Sequence, residues 1–219
     1  MKKIVLCGPP RSGKSCLRQG LKDALRRIPD APYPYVITAC PDGEGAWFQE
    51  TVNQDPDAAA AHKAAYKSKF TPEFVRRVTD SVKNCSLPLT LVDIGGITSA
   101  ENEAICASAT DAVLLMPKSM SETAFKNLQK AYEAAGLDIP QNLEDVRASW
   151  LLFAKKLGFT VGAEICSDYH GMKDIVPQLG EDGVYRGSVH HLERGEPIAD
   201  RPTIRALAEI LVRLVSDEK

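Results

Sequence analysis

Hydrophobic positions along this chain fall into two alternating patterns: short unbroken apolar runs, and longer stretches with apolar residues three or four apart. Residues 3–7 form the first run and predict a buried strand; Leu17, Leu21, Leu25 and Ile28 then mark one face of a helix. Residues 35–40 predict a second strand, and the alanine-rich stretch 57–69 a helix. Thr71-Pro72-Glu73 has the chemistry of a helix start, with Thr71 as N-cap and Pro72 where a missing N–H costs nothing; Phe74, Val75, Val78 and Val82 supply the apolar face. Residues 87–92 and 112–116 are apolar enough to be strands covered on both sides. Helices are predicted over 122–135, 143–157 and 203–215, a fifth strand over 161–166, and a hairpin arm or short edge strand over 185–192. Strand and helix in alternation predict an α/β fold: an open, mainly parallel sheet with helices on both faces. No linker forces a boundary, so 1–219 reads as one domain with a C-terminal hairpin and helix appendage from about 180.

Composition narrows the partners. The 219 residues carry a formal net charge of -2, which gives no reason to expect a nucleic-acid partner, and no apolar run reaches the ~20 residues of a membrane span. The six cysteines (7, 16, 40, 85, 106 and 166) show no C-x-x-C spacing and suit a reducing, cytoplasmic setting. Cys166, His170, His190 and His191 fit no standard zinc module.

The strongest chemical signal is Gly8-Pro9-Pro10-Arg11-Ser12-Gly13-Lys14-Ser15, a G-x-x-x-x-G-K-[ST] phosphate loop set between a predicted strand and helix. Such a loop wraps backbone N–H groups around phosphates, and the following helix adds its positive end. Gly8, Arg11, Ser12, Gly13, Lys14, Ser15 and Cys16 are therefore the expected nucleotide-binding set, with Lys14 reaching the β- and γ-phosphates and Ser15 ligating Mg²⁺. The second half of the metal site should be an acid at the end of another buried strand. Leu89-Thr90-Leu91-Val92-Asp93 provides Asp93, and Asp93-Ile94-Gly95-Gly96 also fits the D-x-x-G pattern of nucleotide switches.

After the second strand comes Cys40-Pro41-Asp42-Gly43-Glu44-Gly45-Ala46-Trp47, which in a parallel sheet faces the same crevice as the phosphate loop. Glu44 is the candidate for orienting an attacking water, and Asp42 for the metal shell. The catalytic set is thus Lys14, Asp93 and Glu44, and the metal set Ser15, Asp93 and Asp42. Arg76 and Arg77, on the exposed face of the Thr71 helix, are candidates for an arginine finger.

Taken together, residues 39–47, 69–75 and 87–96 with the P-loop resemble the AAA-type ATPase domain associated with, and often fused to, the CRISPR ring nuclease of type III systems. The resemblance implies ATP hydrolysis or an ATP-gated assembly switch linked to antiviral defence, with Mg²⁺ and ATP at the site and self-assembly or a ring nuclease as partner. It covers the first half of the chain best, and the chain begins directly on the P-loop strand with no nuclease portion before it. Two other readings stay open: a small-molecule or nucleotide kinase, and a docking module that nucleotide orders with negligible turnover. Against a kinase, residues 140–157 hold only Arg147 where an arginine-rich lid would lie; against a GTPase, Met116-Pro117-Lys118-Ser119 lacks the guanine-specifying pattern.

Overall fold

The computed structural model describes residues 1–40 and 71–216. Among them, seven strands form one sheet: β1 (Lys2–Cys7), β2 (Pro34–Ala39), β3 (Leu89–Ile94), β4 (Asp111–Pro117), β5 (Thr160–Asp168), β6 (Ile175–Leu179) and β7 (Tyr185–His190), in the order β2-β3-β1-β4-β5-β7-β6. Every pairing is parallel except β6 with β7. The described helices are α1 (Lys14–Leu25), α2 (Pro72–Asn84), α3 (Ala100–Cys106), α4 (Glu122–Ala134), α5 (Leu143–Leu157) and α6 (Pro202–Ser216).

Alternation along the strands builds two cores. Ile4 and Leu6 of β1, with Leu89, Leu91, Val113 and Leu115, pack under α1 and α6. Val5 and Cys7, with Val92, Ile94, Leu114 and Met116, face the other way and meet apolar residues of α2, α3, α4 and α5. Both faces of the central strands are covered, which is why they read as unbroken apolar runs. Each buried Leu or Ile contributes roughly 1.5–3 kcal/mol relative to exposure, so these two layers hold the sheet between its helices. The Thr71 hydroxyl accepts the Phe74 N–H at 3.2 Å and caps α2 as its sequence predicts.

Four elements differ most from the sequence expectation. The third strand runs two residues later than 87–92, because Leu87 and Pro88 lead into it, and Asp93 lies inside the strand. Helix α3 is too short to show a period; it starts because the Ser99 hydroxyl accepts the Asn102 N–H at 3.4 Å. Strand β7 is a hairpin arm, as the pattern suggested, but not an edge: it lies between β5 and β6. Strand β6 takes the edge, and its Ile-Val-Pro-Gln-Leu sequence hides it, since proline is tolerated there only because no neighbour needs its N–H. The helix expected at 57–69, and the 41–47 loop with Asp42 and Glu44, lie outside the described residues.

Candidate active site

The phosphate loop begins where β1 ends. Gly8 has φ +140°, and a Cβ there would stand 2.1 Å from the Leu115 carbonyl oxygen of β4, so only glycine lets the chain turn this close to the sheet. Gly13, at φ +94°, is the N-cap residue of α1, and Arg11 between them is exposed at φ +63°. The Lys14 ammonium donates to the carbonyls of Gly8 at 2.8 Å and Pro9 at 3.0 Å, folding back over its own loop. Ser12 is buried, and its hydroxyl has no hydrogen-bond partner among the described residues. A buried hydroxyl in that state is rare and suits a group that meets a ligand.

Strand β3 lies directly beside β1, with Asp93 in register with Leu6, two residues before Gly8. Asp93 is 4% exposed. Beyond it, Gly96 packs against the phosphate loop: a Cβ there would meet the Pro10 nitrogen at 2.5 Å. The two loops touch, so a shift in one is felt by the other. Gly96→Ala should therefore cost about 1–3 kcal/mol of stability, as overpacking does, and push the turn after β3 off the phosphate loop. Thermal denaturation read beside nucleotide turnover checks this: a variant with unaltered stability and turnover would show that the contact is dispensable.

Gly13, Lys14, Ser15 and Cys16 line one wall of a cavity of about 1260 Å³; Asp93, Gly95 and Gly96 line another. The structure thus brings Lys14, Ser15 and Asp93 to one space. It adds residues that the sequence reading missed. Leu192 and Arg194 reach the cavity from the β7–α6 connection, and Ala131, Ala134 and Ala135 from the end of α4. Asn102 also lines it; its amide donates to the Ile97 carbonyl at 2.7 Å, while its side-chain oxygen is buried without a partner among the described residues. Arg18 was missed too, although its spacing signals it: with Leu21 and Leu25 it falls on the buried stripe of α1. Its guanidinium pairs with Asp93 at 3.2 Å.

Other residues sit elsewhere. Arg76 and Arg77 are exposed on α2, Arg77 over the Phe74 ring at 5.9 Å, and neither lines the cavity. Arg147 pairs with Glu164 and with Glu144, which raises its pKa chiefly through the Glu164 hydrogen bond, so it serves an ion-pair network and not a lid. Lys118, in the segment after β4, donates to Asp168 of β5 at 2.7 Å. The Cys7 thiol, one residue before the loop, is pushed well up by burial, with Cys106 adding to the effect; Cys106 itself is pushed up to about 12 by burial. Both therefore stay protonated and act as small hydrophobes. His190 is held by Asp174 at 2.6 Å, and the ligand atoms of His191 lie within 4.8 Å of those of Glu193 and Glu196, a grouping the sequence did not suggest.

No family model and no curated protein matches the chain. Solved structures do. The chain is similar over its whole length to 99% of a protein described as a plasmid partition protein from Borrelia burgdorferi B31, bound to AMPPNP, at 10% identity and a TM-score of 0.57. The fold is that of the P-loop NTPases. The septum site-determining protein MinD of Pyrococcus horikoshii OT3, complexed with Mg-ADP, is matched over 99% of this chain and 96% of its own, at 13% identity and a TM-score of 0.45. A GTPase from Pyrococcus abyssi in apo form is matched over 75% of this chain and 66% of its own, at 13% identity and a TM-score of 0.40. Within this P-loop fold, no helix among the described residues is long and apolar enough to cross a membrane.

Proposed function

We propose that this P-loop protein binds ATP with Mg²⁺ and hydrolyses it, using the bound triphosphate to set its assembly state. One observation carries the reading: a buried acid, Asp93, lines the same cavity as Lys14 and Ser15, and the loop that bears them turns at Gly8 where a Cβ has no room. The donor set fits a hard divalent cation, with a carboxylate and a hydroxyl as oxygen ligands beside a phosphate-sized cradle. Mg²⁺, when bound, would be held by Ser15 and Asp93 and would offset the negative charge that develops as the terminal phosphoryl group leaves.

The chain's own residues do the rest. Lys14 exchanges its loop carbonyls for the β- and γ-phosphates, and Ser15 and Asp93 are the residues that would hold the metal. The oxygen of water attacks the γ-phosphorus, the bond to the β,γ-bridging oxygen breaks, and ADP and phosphate result. Glu44, read from the sequence alone, is assigned to orient that water. Gly96, against Pro10, offers the turn that leaves β3 at Gly95 and Gly96 as the element that distinguishes triphosphate from diphosphate. A role in type III CRISPR defence, with a ring nuclease as partner, rests on the resemblance of residues 39–47, 69–75 and 87–96 and on nothing in the fold.

A kinase is the second reading, since a P-loop that holds ATP serves phosphoryl transfer to an acceptor as well as to water. Phosphate release from ATP and GTP, with and without Mg²⁺ and a panel of acceptors, separates the two. ATP-selective, Mg²⁺-dependent release without an acceptor is expected. Release only as transfer to an acceptor makes the protein a kinase, and tight binding without turnover makes it a nucleotide-ordered docking module.

A further inference from the structure

Arg18 is 9% exposed, a rare place for a guanidinium. It stands one helical turn beyond Lys14, so both side chains leave the same face of α1. Its Nη1 donates to the Asp93 carboxylate at 3.2 Å and to the Thr38 hydroxyl at 3.4 Å. Thr38 and Asp93 are themselves register partners across β2 and β3. One buried cation therefore joins the first helix to two strands at the point where the acid enters the cavity.

Packing does not require it. Leu17, Leu21 and Leu25 already seat α1 in its core, and an apolar side chain of similar volume often replaces a buried ion pair with no loss of stability. What a guanidinium adds is direction and charge. It fixes one carboxylate oxygen of Asp93, and it offsets the negative charge that the acid would otherwise show to a bare cation. A triphosphate entering the cavity supplies that negative charge anew.

We propose that Arg18 is a positioning residue for Asp93, which orients the carboxylate and keeps its affinity for free divalent metal low, so that metal enters with nucleotide. The inference rests on the assignment of Asp93 as the metal acid. Arg18→Gln removes the charge and Arg18→Lys keeps it; Arg18→Met, apolar and of similar length, takes the place of the glutamine variant if that one does not fold. Mn²⁺ binding to the full chain without nucleotide, followed by electron paramagnetic resonance, is the primary readout. The neutral variant should bind Mn²⁺ about tenfold or more tightly than the unaltered chain, and the lysine variant about as weakly as the unaltered chain. At saturating Mg²⁺ and ATP the neutral variant should turn over about tenfold more slowly with KM for ATP little changed, because Lys14 and the loop are intact. A folded neutral variant with an unchanged Mn²⁺ midpoint overturns the proposal, as does a lysine variant that binds Mn²⁺ as tightly as the neutral one. If nucleotide binding by the unaltered chain shows no metal dependence, the assignment of the site fails instead, whatever Arg18 does.

Discussion

Lys14→Ala is expected to weaken ATP binding by about 10- to 100-fold and to leave no measurable turnover. The magnitude follows from the loss of charge-assisted hydrogen bonds, each contributing about 1.5–3 kcal/mol, in a site where the lysine is 8% exposed and water screens poorly. The unliganded fold should tolerate the change better than the site does, since α1 is seated by Leu17, Leu21 and Leu25 and not by the lysine. Ligand linkage makes the effect visible without a turnover assay. Nucleotide at 100 times its Kd stabilises the unaltered protein by about 2.7 kcal/mol, and the variant at the same concentration should keep only about 0.4–1.4 kcal/mol of that shift. Calorimetric titration and thermal denaturation with and without Mg²⁺ and ATP provide the check. A variant that binds ATP as the unaltered chain does would place the phosphates away from this loop.

Asp93→Asn should act on chemistry and on stability together. Neutralising the acid removes the proposed metal ligand, and turnover should fall by about 100-fold or more, the scale on which a preorganised electrostatic group contributes. It also leaves the Arg18 guanidinium buried without the carboxylate it pairs with at 3.2 Å. Breaking one side of a buried pair costs about 3–5 kcal/mol, because the remaining charge keeps its desolvation penalty. Adding Arg18→Met should return much of that stability while turnover stays lost. Denaturant unfolding of the single and double variants separates the two contributions. If the single variant is as stable as the unaltered protein, the ion pair does not carry the coupling assigned to it.

Much of this site is legible in the chain itself. The Gly8 to Ser15 loop is covalently contiguous, so its residue types and spacing already declare a phosphate cradle, and the apolar runs at 3–7 and 112–116 announce strands buried on both faces. Asp93 was legible as well, because a buried strand ending near an acid is a local pattern. Arg18 was not. Its periodicity puts it on the buried face of α1, but its partner is 75 residues away and on another strand. Gly96 carries a local motif, yet only the packed structure shows that its missing side chain is what lets Pro10 approach.

What the sequence by itself determined is therefore the loop, the helices and strands with strong period, and the alternation that makes a parallel sheet. Tertiary structure alone decided the rest. It placed β3 against β1, which sets Asp93 beside the phosphate loop, and it inserted β7 between β5 and β6. It brought Asn102, Ala134 and Arg194 around one cavity from three distant segments. The reason is physical: a period or a turn is set by neighbours along the chain, whereas strand order and a buried ion pair are set by which distant surfaces the whole chain can bury together.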